Sequence, residues 1–407
     1  MTYPEDDLDL FGEERTERHR PVRSSSGRRP APRKKKRRTV VWIGMVVVLA
    51  LIGVGGYYGY KQIVGIGDYD DFAGQGKGDV VVQVKDGDTT ADVANTLVEA
   101  GVVASSRAFV VAAESNSAVR GVQPGYYVMK KESSGAAAVS KIVNPESQVG
   151  QFEVKPGSQL ENITQPDESV VKGITGMLSD ASCAELDGKS TCVPPEQLTQ
   201  VVQTGDLAKL GVPEWAIPDA SKAEPKRRLE GLIMPGVYDV KPGSTADELW
   251  TQVMTESATQ MQALGLPTIA DETGYTPYQV LTMASLVEKE AITKDFGKVA
   301  RVTYNRLQEG MKLEYDSTIN YVLDRPMIRT NREDRERVGA YNTYDNKGLP
   351  PTPISAPGEG ALQAVVKPEE GGWLFFVKCQ KDGTSCFATT NTEHNDNRAL
   401  AQANGAY

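Results

Sequence analysis

Two carboxylates two positions apart, Glu288 and Glu290, stand at the end of a run with helical periodicity. Val280, Met283 and Val287 recur at three and four residues and share one face, and Glu290 is the next position on that stripe. Glu288 falls on a neighbouring face with Leu281, Ala284 and Ser285. A carboxylate that continues an apolar stripe loses part of its hydration. That disfavours the ionised form and raises the pKa above the usual ~4.3. A general acid that must keep its proton near neutrality needs this property. The rival reading is a solvated charge at a helix end, and spacing alone leaves both open.

Downstream, groups that bind hydroxyls and amides concentrate. Asn305, Arg306, Asp316, Ser317, Thr318 and Asn320 are followed by Tyr341-Asn342-Thr343-Tyr344 and then by Gly348 to Gly358, a segment with four prolines that includes Ser355. Such Pro/Gly density predicts a loop of fixed shape. Asn, Thr and Tyr on a rigid loop suit sugar recognition, with amides and hydroxyls bonding hydroxyl and N-acetyl groups and the rings offering flat apolar area. Other chemistries lack their parts. Beyond residue 60 the one imidazole is His394, and no G-x-S-x-G elbow appears, which argues against a Ser/His hydrolase. His394 is a further candidate for the cleft lining. No C-x₂₋₄-C pair occurs, so no zinc site, other metal or cofactor is expected.

The elements that must position these residues are partly legible. Thr276, Pro277 and Gln279 form a T-x-x-Q capping box opening a helix from Pro277 to about Thr293. A phrase recurs at Val84-Lys85-Asp86-Gly87-Asp88, Val154-Lys155-Pro156-Gly157-Ser158 and Val240-Lys241-Pro242-Gly243-Ser244. Each time a short alternating strand meets a turn ahead of a helix start, which predicts separate strand-turn-helix units. The first, 79–145, adds a strand at Tyr126 to Val128 and a helix around Ala136 to Ile142; this β-α-α-β order resembles a LysM module, a small glycan-binding fold. Residues 166–228 suggest no role.

Charge and hydropathy set the compartment. Residues 1–38 hold 12 Lys/Arg and 7 Asp/Glu, and the rest of the chain holds 33 and 47. An acidic main body argues against a nucleic-acid partner. Residues 1–38 read as a disordered tail. Val40 to Tyr58 is 19 residues without a charge, flanked by Trp42 and Tyr57 and preceded by Arg33 to Arg38. That predicts a single-pass transmembrane helix within 39–60, with the N-terminus cytoplasmic and 62–407 outside. A cleaved signal peptide fits less well, because no A-x-A-like site closes the run. Residues 61–78 read as a stalk. Cys183 and Cys192, and Cys379 and Cys386, form two local pairs on the outer side and predict two disulfides, the second stapling a hairpin.

Taken in order, Ala284-Ser285-Leu286-Val287-Glu288-Lys289-Glu290, Tyr304-Asn305-Arg306-Leu307, Asp316, Ala340 to Tyr344, Gly348-Leu349-Pro350-Pro351 and Ile354-Ser355-Ala356-Pro357-Gly358 resemble the MltG/YceG family of endolytic murein transglycosylases. The likeness reaches upstream to Leu229-Glu230-Gly231-Leu232 and Pro235…Tyr238, and covers about 79–400. Met234-Pro235-Gly236-Val237-Tyr238 departs from the pattern, and the Cys379–Cys386 hairpin reads as a local addition. The resemblance implies an α+β fold with a mixed α/β catalytic domain over 150–403, small units around a mixed sheet, and a site between the Glu290 helix and the 341–358 loop. It implies Glu290 as catalytic residue, with Asn305, Asp316, Tyr341, Asn342, Thr343, Tyr344 and Ser355 as substrate-binding candidates. It also implies peptidoglycan strands, and the synthases that make them, as partners. The implied reaction is lytic: Glu290 protonates the glycosidic oxygen between N-acetylmuramic acid and N-acetylglucosamine, then takes the proton of the muramic C6 hydroxyl as that oxygen closes on C1. Two alternatives stand at this point. A muramidase would use water with Asp316 or Glu288 as second carboxylate, and a tethered glycan-binding scaffold would not need Glu290.

Overall fold

The structure, a computed structural model, describes residues 68–165, 167–323 and 332–406. The basic tail, the apolar run from Val40 to Tyr58 and the start of the expected stalk lie outside the described residues. Among the described residues no helix is long and apolar enough to cross a membrane. Residues 69–407 form one compact unit.

The first part follows from its alternation and caps. Strand β1 (Asp79–Val84) turns Val82 and Val84 inward. Thr89 then caps the helix Thr90–Glu99 in a capping box with Asp92. A second helix, Ser106–Glu114, leads to β2 (Gly125–Lys130), which returns antiparallel to β1 with Val82 opposite Tyr127. Helix Gly135–Ile142 and β3 (Gln148–Val149) complete the unit around Leu97, Phe109, Met129 and Ile142. The expected strand-helix-helix-strand order is present. Residues 70–78 of the expected stalk lie along it, with Lys77 N donating to Lys131 O (2.8 Å) and the Ser105 hydroxyl to Asp70 O (2.7 Å).

Strand β4 (Gln151–Val154) opens the larger part. Two-residue hairpins follow, β5 (Ile163–Thr164) with β6 (Val170–Val171) and β7 (Glu185–Leu186) with β8 (Lys189–Ser190); then β9 (Gly236–Asp239) pairs with β4. Near the end, β10 (Phe375–Lys378) and β11 (Ser385–Ala388) form a hairpin. The fold is α+β. Every pairing between the named strands is antiparallel, so the expected mixed sheet does not form among the described residues. The strands are two to six residues long, and even those joined through helices, β1 to β2 and β4 to β9, return antiparallel. The recurring phrase also behaves differently from the expectation of separate units. Its second and third copies follow strands that pair with each other, and after the second no helix begins until Ile174. Both expected disulfides, Cys183–Cys192 and Cys379–Cys386, are present.

The helix that carries Glu290 is the centre of the core. Thr276 and Gln279 form the capping box, Pro277 occupies the first turn, and the helix runs Pro277–Glu290. It stops short of Thr293 because Ala291 is extended and a 3₁₀ turn, Thr293–Asp295, redirects the chain into helix Phe296–Gln308. The expected one-sided stripe gives way to burial all round, with Tyr278 and every residue from Val280 to Val287 buried. Glu290 thus emerges where a core helix ends.

The Pro-rich loop is clamped to this helix from behind. Ile354 N donates to the Ser285 hydroxyl (3.0 Å) and Gly358 N to the Glu288 carboxylate (3.0 Å). Gly157 N donates to Ala356 O (2.8 Å) and Ala356 N to Ser158 O (2.7 Å). Gly231, at φ +69°, presses on the same loop; a Cβ there would lie 2.1 Å from Pro353 Cβ.

Candidate active site

A cleft of about 450 Å³ opens at the end of the Glu290 helix. Its walls come from four places: residues Leu313 to Asp316, Tyr344, the β10 residues Phe376, Val377 and Lys378, and His394 with Arg398 from the helix Asn391–Ala403. Arg306 and Arg335 add guanidinium groups. Four cations and three carboxylates, Glu290, Glu314 and Asp316, thus line the cleft, with Arg306 paired to Glu314 and Arg335 to Asp316.

Glu290 reaches the cleft, and its Oε1 accepts from Ser317 N at 3.1 Å. Loss of solvation pushes its pKa up, with Asp316 adding a little; Ser317 and the Lys378 ammonium pull the other way. The donated N–H steadies an anionic form, and the surrounding protein favours the protonated one. A carboxyl in that balance can both give and take a proton.

Asp316 opens the short helix Asp316–Asn320. Its Oδ1 accepts from the Tyr344 hydroxyl at 2.7 Å, and Arg335 donates to both oxygens at 3.2 Å. Tyr344 is half-buried under the Arg335 guanidinium, 4.9 Å from the ring centroid; burial first, and Asp316 next, push its phenol well above the ordinary range. Asp316 and Tyr344 are therefore brought together with Glu290.

The other sequence candidates sit behind the cleft wall. Asn305 donates to the Gly371 and Trp373 carbonyls (3.0 and 2.9 Å), so its amide is spent on a loop. Asn342 is buried and holds Arg335 O and Arg337 O while accepting from Tyr344 N at 2.8 Å. Thr343 is buried, and its hydroxyl accepts from Tyr315 N at 2.9 Å and meets the Thr318 hydroxyl at 2.9 Å. Tyr341 is buried, with its hydroxyl 2.9 Å from that of Thr352. Ser355 is fully buried and its hydroxyl has no partner. Of the 341–358 segment, Tyr344 is the one residue that lines this cleft among the described residues. The opposite wall is the disulfide-stapled hairpin and the helix after it.

Lys378, Arg398, Glu314 and Arg335 were not singled out from the sequence, because single charges on a hairpin or an exposed helix carry no spacing signal. His394 does line the cleft, stacked on Phe375 at 5.3 Å. Burial, then Arg398 and Arg306, lower its pKa, which favours the neutral ring. Glu288 points away to Gly358 N and is not part of the cleft lining. Among the described residues no group of acidic, His or Cys side chains could hold a metal.

The model of the YceG-like family matches residues 82–400. A Bacillus subtilis protein named endolytic murein transglycosylase is 26% identical over 319 residues, covering 78% of this chain and 83% of that protein. One of the same name from Streptococcus pneumoniae is 26% identical over 366 residues, covering 88% of this chain and 64% of that protein, so this chain spans under two thirds of the pneumococcal relative. The crystal structure of a yceG-like protein from Listeria monocytogenes shares the fold, with a TM-score of 0.50 at 23% identity over 79% of this chain and 99% of that one.

Proposed function

Since the chain belongs to the YceG-like family, we propose that it is an endolytic murein transglycosylase. It cleaves the bond between N-acetylmuramic acid and N-acetylglucosamine inside peptidoglycan strands and leaves a 1,6-anhydro end. Glu290 carries the reaction. Protonated, it gives its proton to the glycosidic oxygen as the C1–O bond breaks. Ionised, it takes the proton of the C6 hydroxyl, whose oxygen forms the new bond to C1. The nucleophile belongs to the substrate and is already in place, so one carboxyl suffices and no water is consumed. Asp316, held by Tyr344 and Arg335, stabilises positive charge developing at C1, while Tyr344 and Lys378 contact the sugar and its substituents.

The observation that supports this best is a single desolvated carboxyl at the cleft whose neighbouring carboxylate is already engaged. A muramidase needs a second carboxylate free to activate water or to attack. Glu288 faces the Pro-rich loop, both Asp316 oxygens accept hydrogen bonds, and Glu314 is paired with Arg306. Asn305, Tyr341, Asn342, Thr343 and Ser355 act as supports that fix the cleft residues. The 79–149 unit serves as a LysM-like glycan-binding module, and the apolar run before it as a single-pass anchor that keeps the catalytic part outside the cell, close to peptidoglycan synthases.

The test is mass spectrometry of products from uncross-linked glycan strands treated with the purified chain, beside Glu290→Gln. Internal fragments ending in 1,6-anhydro-muramic acid, lost in the variant, are expected. Reducing ends would assign a muramidase, and intact strands with folded wild type would assign a scaffold.

A further inference from the structure

We propose that Glu230 is a positioning residue for this cleavage: through Tyr321 it sets the short helix whose first turn holds the Glu290 carboxyl. The inference rests on the reading of Glu290 given above.

Glu230 is 2% exposed, and no Lys, Arg or His forms an ion pair with it among the described residues. Such burial is costly unless the group is hydrogen-bonded. Its Oε2 accepts from Leu160 N at 3.3 Å and from the Tyr321 hydroxyl at 3.0 Å, while Oε1 has no partner. The carboxyl therefore ties the segment after β4 to one tyrosine.

Tyr321 follows the helix Asp316–Asn320 directly, and its N–H donates to Ser317 O at 3.0 Å. Its ring is fixed on two sides, by the Arg227 guanidinium 4.3 Å from the centroid and by the Tyr341 ring at 5.1 Å. The hydroxyl donates to Glu230 and also interacts with the Arg227 guanidinium. At the other end of the same helix, Ser317 N reaches Glu290 and Asp316 receives Tyr344 and Arg335. A helix of five residues is ~7.5 Å long, so it moves as one piece. Displacing its Tyr321 end shifts the Ser317 N–H and the Asp316 carboxylate relative to Glu290. The wall that grips substrate from the other side, Lys378 and His394, has no contact with Glu230.

The distinguishing prediction is a loss in turnover without a loss in binding. Tyr321→Phe keeps the ring stack and removes one hydroxyl, and Glu230→Leu removes the acceptor; kcat should fall about tenfold in each, the scale of one buried hydrogen bond, with KM unchanged. Glu230→Gln keeps a carbonyl for Tyr321 and should stay within about threefold of wild type. In Tyr321→Phe the alkaline limb of the pH–rate profile should also move up, because the Ser317 N–H no longer holds the Glu290 pKa down. Asp316, Lys378, Lys289, Tyr315 and Tyr344, which act electrostatically on Glu290, remain. Wild-type kcat and pH profile in folded Tyr321→Phe, or a rise in KM alone, would overturn the proposal. Glu290→Gln, run in parallel, separates the two failures: if that variant still cuts, the assignment of Glu290 itself is wrong.

Discussion

A carboxyl that must act first as acid and then as base is sensitive to anything that biases its proton. Glu290→Gln can do neither, and loss of cutting by at least ~100-fold is expected in a product assay with unchanged strand binding. Since burial raises the Glu290 pKa, the acid form persists to higher pH than an ordinary glutamate allows, and kcat/KM should fall as pH rises through that raised value. Tyr344→Phe removes the hydroxyl that engages Asp316, and a rate loss of roughly tenfold or more follows from one hydrogen bond to a charged group. Glu230 titrates for stability rather than rate. Burial, against the Tyr321 and Leu160 hydrogen bonds, pushes its pKa up to about 7. The unfolded chain releases this proton near ~4.3 while the folded one keeps it, so the stabilisation is full below ~4.3 and is lost as pH rises to neutrality. Its size is on the order of 3 kcal/mol. Glu230→Gln should flatten the melting temperature measured between pH 5 and 7, and an unchanged slope would remove Glu230 from that account.

At the scale of elements, Gly231 is the contact that most limits substitution. Gly231→Ala meets both a left-handed backbone and the Pro353 ring, and a loss of roughly 2 kcal/mol or more is expected by thermal unfolding. The Glu290 helix, its cap and its first residue could be read from Thr276-Pro277-Tyr278-Gln279, because a capping box is local chemistry. So could the three strand-turn signals and the two cysteine pairs. The stripe was misleading: a helix buried on every side also contains the positions three and four apart, and neighbours distant in sequence decide which faces are covered. The Asn-Thr-Tyr loop was found, but its residues were assigned to the substrate when three of the four turn inward. Type and order do not record which way a loop side chain points. The β10–β11 hairpin reads as a local addition in the sequence because its cleft residues, Phe376, Val377 and Lys378, are recruited by tertiary contact alone.

The whole molecule sets charge against charge. The chain carries 54 acidic and 45 Lys/Arg residues, yet the cleft is rimmed by Lys378, Arg306, Arg335 and Arg398. Glu290, Glu314 and Asp316 share that lining, with Arg306 paired to Glu314 and Arg335 to Asp316, so the cations exceed the carboxylates by one; murein stem peptides carry carboxylates, and even that small excess in an acidic body favours such a polymer there. kcat/KM should therefore decline with rising salt, and Lys378→Gln should lower kcat/KM and weaken that dependence. The reciprocal bonds between Gly157, Ser158 and Ala356 join parts of the chain almost 200 residues apart, and β4 finds β9 only across residues 155–235. Closing such spans costs chain entropy before any contact repays it. The 79–149 unit, made of near neighbours, should thus acquire its native amide protection early in refolding. The cleft should form late, so that the chain passes through an interval in which its first unit is native and its catalytic centre is not yet assembled.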